Sequence, residues 1–170
     1  MSSMTAARIA QIFGCASAAW LSGYIGSMTM PGMSAVSKAP PNVAPKQWRT
    51  IFDIGFTTAP KIAGLSASAF AYAAYSLSVQ QKPASSSTLT SIYFLSAAAI
   101  STLMIAPWTI LTMLPTNEKL DAKLAVAESG LAAKEDSELD GLLTKWARLN
   151  GIRSVFPLVG AFCGLWAITS

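Results

Sequence analysis

A chain of 170 residues that is 52% hydrophobic and 12% charged, with a mean hydropathy of +0.46, is about half as charged as a typical soluble domain and points to a bilayer. Its length fits one domain and excludes a second core of similar extent, so residues 1–170 are expected to form a single membrane domain. The net charge of +4 does not indicate nucleic acid, because the Lys and Arg residues sit in loops between apolar runs and form no basic stripe interleaved with aromatics.

The first apolar run covers residues 7–29, with Arg8 near its start. A secretory signal peptide has a similar layout, but a run of about 20 residues exceeds the usual signal core and favours a retained span. Gly14, Ala18, Ser22 and Gly26 recur at every fourth position and line one helix face with small residues suited to close packing in lipid. In the following segment Pro31, Pro40, Pro41 and Pro45 predict a loop, with a short helix resuming near Pro45. A second span is predicted over 59–79, kinked near Pro60. QQKPASSSTLT reads as a polar turn, and a third span follows over 91–114 with Pro107 inside it.

LPTNEKL ends that run, and Thr116 or Asn117 is placed to cap a new helix. Residues 117–142 hold most of the acids and read as a solvated helical hairpin, part of a charged connection over 117–150. From about Leu139 the helical pattern continues to the end, so the fourth span, 152–169, is just long enough to cross. The fold class predicted is all-α, a four-helix transmembrane bundle with a polar helical extension at one end. Ten of the twelve Lys and Arg residues fall in the first and third connections, the others being Arg8 and Lys82. That bias predicts cytosolic long connections and lumenal termini.

Histidine is absent, which removes the commonest ligand of zinc and iron sites and the commonest general base, so no metal site is expected. Cys15 and Cys163 lie inside apolar runs and read as packing residues. Trp146, Asn150, Arg153 and Pro157 are spaced by four, three and four residues and therefore share one helix face. An arginine at a membrane boundary has a plain explanation in snorkelling to the headgroups. QWRTIFDIG, however, brings Gln47, Trp48, Arg49 and Asp53 to the same end, and LPTNEKL adds Asn117 and Lys119. A shared polar pocket at that end is the functional expectation.

APKQWRTIFDIGFTTAPKIAGLSASAFAYAAY, APWTILTMLPTNEKL and LLTKWARLNGIRSVFPLVGAFCGL together resemble the anthrone oxygenase family, small multi-pass membrane proteins. The resemblance covers about residues 10–168 and is most specific at Gln47–Trp48, at Pro115–Asn117, and at Trp146, Asn150 and Arg153. It implies an oxidoreductase of aromatic polyketide (secondary metabolite) biosynthesis, a monooxygenase converting an anthrone to an anthraquinone. Dioxygen is the co-substrate, and no metal or flavin is implied.

An anthrone methylene is acidic because its loss of a proton leaves an aromatic, electron-rich anion able to reduce dioxygen. The protein would supply an apolar slot and donors for the oxyanion. The expected catalytic residues are Arg153 with Asn150 or Asn117 as donors to the oxyanion and Asp53, the acid nearest the pocket, as the candidate base, a helix-surface carboxylate being the other reading of Asp53. Trp48 and Trp146 are implied as flat walls, and Gln47 and Asn117 as amide contacts. The implied partners are the bilayer, taken to be an endomembrane, and the anthrone, with no nucleic acid; an oligomer is left open. The rival reading is a non-catalytic membrane scaffold or accessory subunit whose polar end docks a partner. A transporter is disfavoured because no charged residue lies midway along any run, and neither a P-loop nor a G-x-G-x-x-G pattern occurs.

Overall fold

The computed structural model describes residues 3–80 and 85–169. Among these residues the chain is all-helical, in the order α1 (Ser3–Ser27), α2 (Met33–Val36), α3 (Ala44–Gln80), α4 (Ser86–Leu103), α5 (Ile105–Trp108), α6 (Leu114–Glu128) and α7 (Ser137–Thr169). Three stretches are long and apolar enough to cross a membrane: α3, the run Ser86–Glu128, and α7. The first predicted span forms α1, which has the length of a crossing helix but is diluted by Arg8, Gln11 and its many Gly and Ser residues, and is not among the three.

The helices divide into two compact units. The first contains residues up to Gly23, Pro60–Ile105 and Val155 onward. Its core is built from small residues, with Cys15, Ala18, Ala73, Ala98 and Ala161 buried around Phe70, while Phe13, Tyr93, Ile100, Phe162 and Trp166 point outward. Large apolar groups outside and small ones inside suit a lipid solvent, where close backbone approach replaces the hydrophobic effect as the packing force. Gly164 shows how close: a Cβ there would lie 2.5 Å from the Phe70 ring and 2.6 Å from Cys15 Sγ. Of the predicted small-residue face, Gly14, Ala18 and Ser22 are buried, whereas nothing lies within 4 Å of a Cβ placed on Gly26. Hydroxyls and amides join the helices: Ser66 Oγ donates to the Gly14 carbonyl at 2.8 Å, and Gln11 Nε2 to the Gly164 carbonyl at 3.1 Å.

The second unit contains Tyr24–Ala59 and Ala106–Ser154, with a larger-side-chain core of Trp48, Met113, Leu120, Leu139, Leu143 and Trp146. Here the prolines act differently from the expectation. Pro31 does not end the first helix: it sits in a five-residue π-helical turn, Met28–Gly32, that runs on into α2. Proline cannot donate to the carbonyl four residues back, here that of Ser27, and the turn around it is widened, the Met33 N–H reaching the Met28 carbonyl five residues back. The loop predicted from Pro31 is thus confined to the residues between Val36 and Ala44. A second π-helical turn, Thr109–Met113, follows Pro107 in the same way. Pro60 lies inside the unbroken α3. The polar turn before α4 falls partly on residues 81–84, outside the described residues, as does Lys82; Ser85 caps α4 by accepting from the Thr88 N–H at 3.2 Å.

Thr116 and Asn117 cap nothing, because α6 begins at Leu114 directly after the π-turn. The cap that matters is Asp136, whose carboxylate accepts from the Leu139 N–H at 3.0 Å at the start of α7 and pairs with Lys123 at 2.9 Å. Gly130, at φ +76, takes the left-handed conformation that closes α6. The Lys123 ammonium and the Leu139 N–H hold the Asp136 carboxyl below the usual carboxylate range. A depressed carboxyl stabilises the fold above its unfolded value and loses that contribution as pH falls through its folded value. We therefore expect Asp136→Ala to cost roughly 0.5–2 kcal/mol near neutral pH, the usual worth of a cap. The gap between variant and parent should close below about pH 4. Thermal unfolding in detergent against pH checks this, and a pH-independent gap contradicts it.

Candidate functional site

The face predicted on α7 is present and buried: Trp146 is 1% exposed, Asn150 0% and Arg153 6%. Arg153 is therefore not a snorkelling anchor. Its Nη1 donates to Thr109 Oγ1 at 3.2 Å, and its Nε is buried with no hydrogen-bond partner among the described residues. One turn earlier Asn150 Nδ2 donates to the Ile25 carbonyl at 3.2 Å and to Thr29 Oγ1 at 2.9 Å, while its Oδ1 has no partner among the described residues. Trp108 Nε1 donates to the Leu149 carbonyl at 3.1 Å and ties the segment before the second π-turn to the same stretch of α7.

Thr29 and Thr109 each lie in a π-helical turn. Such turns insert a residue into the helical repeat and shift the side chains that follow, which is why they recur at functional positions. Here they deliver the two hydroxyls that hold Asn150 and Arg153. The only hint in the sequence is a proline two residues away, Pro31 after Thr29 and Pro107 before Thr109. Gly55 on α3 completes the surroundings: a Cβ there would lie 3.1 Å from Met28 Sδ and 3.9 Å from Arg153 Nη2. A side chain there would press on the Met28 thioether and reach ordinary contact with the guanidinium.

Electrostatically, Arg153 is a buried cation without a carboxylate partner among the described residues. Arg49 holds Asp53 at 3.0 Å and Asp121 at 2.7 Å, and Lys123 holds Asp136 and Glu138. Glu118, Glu128, Glu135 and Asp140 are exposed. An unpaired buried guanidinium is costly, so its retention fits a site that receives negative charge from a ligand.

Of the seven residues expected to form a pocket, the structure groups five. Trp48 and Trp146 are buried and meet edge to face, ring centroids 6.3 Å apart at 88°, so the indoles touch each other instead of facing across a gap. Trp146 Nε1 donates to Asn117 Oδ1 at 3.0 Å, which gives Asn117 a structural partner. Asn150 and Arg153 continue the same face. Gln47 and Asp53 stand apart on the exposed side of α3, Asp53 in its ion pair with Arg49. Trp48, Phe52 and Phe56 stack in succession along α3, from a buried indole to an exposed phenyl.

A cleft of about 160 Å³ lies beside Thr29, lined also by Met33, Ser37, Leu143, Thr144 and Ala147. A cleft of about 190 Å³ belongs to the other unit, with Arg8, Gln11, Leu77 and Ser91 in its wall, and holds none of the predicted residues. No group of three His, Cys, Asp or Glu side chains comes together among the described residues.

The family model described as Anthrone oxygenase matches residues 48–163, a segment that includes Trp48, Asn117, Trp146, Asn150 and Arg153. The chain is 34% identical over 164 residues to "Anthrone oxygenase encC" of Aspergillus fumigatus, covering 87% of this chain and 86% of the relative. It is 32% identical over 160 residues to "Anthrone oxygenase" of Claviceps purpurea, covering 91% and 86%. Against "Noranthrone monooxygenase" of Aspergillus flavus the identity is 27% over 141 residues, covering 83% and 63%. No solved structure matches the chain at a significant level. With the family model matching well over half of its length, and relatives above 30% identity aligned nearly end to end, the chain belongs to the anthrone oxygenase family.

Proposed function

We propose that this protein oxidises an anthrone to the corresponding anthraquinone with dioxygen in aromatic polyketide biosynthesis, and that the buried Arg153 is the group on which the chemistry turns. The observation that carries the reading is a guanidinium 6% exposed, fixed by Thr109 and facing no carboxylate among the described residues. Loss of a methylene proton makes the anthrone an enolate-type anion whose charge sits on oxygen. A fixed cation in a water-poor site stabilises that charge far more than water does, because its dipoles need no reorganisation. The anion then passes an electron to dioxygen, the two radicals combine at the methylene carbon, and loss of water leaves the second carbonyl. One CH2 becomes C=O, one oxygen atom enters the product and the other leaves as water.

Dioxygen is the co-substrate and the anthrone itself supplies the electrons, so the reaction balances with no added cofactor. Asn150 orients the same face through Thr29. Trp48 and Trp146 support it from below as packed core. Asp53, held by Arg49, receives no role in proton removal.

The protein sits in an endomembrane as a four-span bundle, with α1 as the additional span. The basic connections face the cytosol and both termini the lumen, a reading supported by the charge bias. The test is purified protein in detergent or liposomes with an anthrone and air. Quinone should form well above the spontaneous rate; quinone at the spontaneous rate removes the enzymatic reading.

A further inference from the structure

The cleft of about 190 Å³ in the first unit lies where helices end. Arg8 and Gln11 come from the first three turns of α1, Gln80 from the end of α3, Ser87 and Ser91 from the first two turns of α4, and Ala167 from the last turn of α7. Gln80, Ser86 and Thr169 are also ends of the three stretches long and apolar enough to cross a membrane. The cleft therefore sits at the depth where a spanning helix leaves hydrocarbon for the headgroups.

Charge around it has one sign. All eight Asp and Glu residues fall in the second unit, and the sequence of the first carries Arg8, Lys61 and Lys82 without a side-chain carboxylate. Arg8 has no hydrogen-bond or ion-pair partner among the described residues. Gln11, 6% exposed, spends one N–H on the Gly164 carbonyl at 3.1 Å, and its second N–H and amide oxygen have no partner among the described residues. Ser91, 7% exposed, donates to the Ser87 carbonyl at 3.1 Å and keeps its oxygen lone pairs as acceptors. A buried amide with half its capacity unspent in a cleft wall calls for a polar occupant. That occupant must donate as well as accept, because Gln11 and Ser91 offer acceptors beside the cation of Arg8.

We propose that this cleft binds the headgroup of an anionic glycerophospholipid, its phosphodiester at Arg8 and its polyol, inositol or glycerol, against Gln11 and Ser91. A polyol hydroxyl both donates and accepts, which phosphodiester oxygens alone do not. A choline or ethanolamine headgroup would bring a cation into a unit with no side-chain carboxylate to meet it, so zwitterionic lipids are disfavoured. The acyl chains have a surface to follow, since Val79, Leu89 and Leu165 are exposed on the helices that line the cleft. One headgroup then touches α1, α3, α4 and α7 together and stabilises their folded arrangement by mass action. The cleft holds none of the residues assigned to the oxygenation, so the two readings stand or fall separately.

Purified protein in a neutral detergent, titrated with phosphatidylinositol and followed by thermal unfolding, tests the site. The unfolding temperature should rise saturably, and phosphatidylcholine at the same concentrations should leave it nearly unchanged. Arg8 is exposed, so Arg8→Gln should fold like the parent, and its affinity for phosphatidylinositol should fall about 10–100-fold, the usual worth of a charged hydrogen bond. Lys61→Gln removes a cation of the same unit outside the cleft and should bind as the parent does. Equal stabilisation by phosphatidylcholine, or Arg8→Gln binding like the parent, overturns the proposal. Equal weakening by Lys61→Gln overturns it too, because diffuse charge then replaces a site. Inorganic phosphate separates the two sources of the same chemistry: stabilisation by the free ion to the same extent would overturn the lipid as occupant.

Discussion

Replacing Arg153 by methionine is expected to lower kcat for quinone formation by about 10²–10³-fold, the usual cost of removing one preorganised oxyanion donor. Folding stability should be unchanged or higher. The two halves of this prediction come from the same fact. Arg153 is buried with its Nε unpartnered and no carboxylate opposite it among the described residues, so the folded state bears an uncompensated charge. Methionine has similar length and no charge, and apolar replacement of buried ions is often neutral or stabilising. A group placed for packing would show the reverse pattern, with stability lost and activity following it. Steady-state turnover and thermal unfolding on the same preparation check the prediction. Turnover within threefold of the parent would remove Arg153 from the mechanism.

Trp146→Ala is expected to have the largest effect on stability, about 3–5 kcal/mol for an indole truncated in a close-packed core. Trp146 is 1% exposed, packs edge-on against Trp48 and donates to the buried Asn117. Trp146→Phe separates the terms: it keeps most of the ring and leaves Asn117 Oδ1 without its donor, costing about 1–3 kcal/mol. Denaturant unfolding of the three proteins measures both steps. If either variant unfolds like the parent and only KM rises, Trp146 is a ligand wall and its packing role is secondary.

The α7 face was legible because helical spacing depends on nothing beyond the helix itself: Trp146, Asn150 and Arg153 fall in line from their numbers alone. Their partners were not, for a physical reason. Thr29 and Thr109 act from π-helical turns, where an extra residue per turn breaks the period that sequence reading relies on. Pro31 reads as the start of a loop, and the chain instead runs through it in a widened turn; Pro107 lies inside its predicted span, two residues before a second such turn. Asn117 looked like a cap because it follows a proline at the end of an apolar run, yet its side chain serves Trp146 from inside a helix already under way. Asp53 and Gln47 share α3 with Trp48, but only the face carrying Trp48 turns inward. Gly55 carries no spacing signal; its relevance is three-dimensional.

Oxygen-18 gas supplied to the membrane-reconstituted protein with an anthrone tests the central claim most directly. The account predicts one labelled oxygen per anthraquinone, formed at an enzyme-dependent rate that Arg153→Met reduces about 10²–10³-fold. Quinone formed no faster than without protein, or carrying oxygen from water in place of dioxygen, would contradict it.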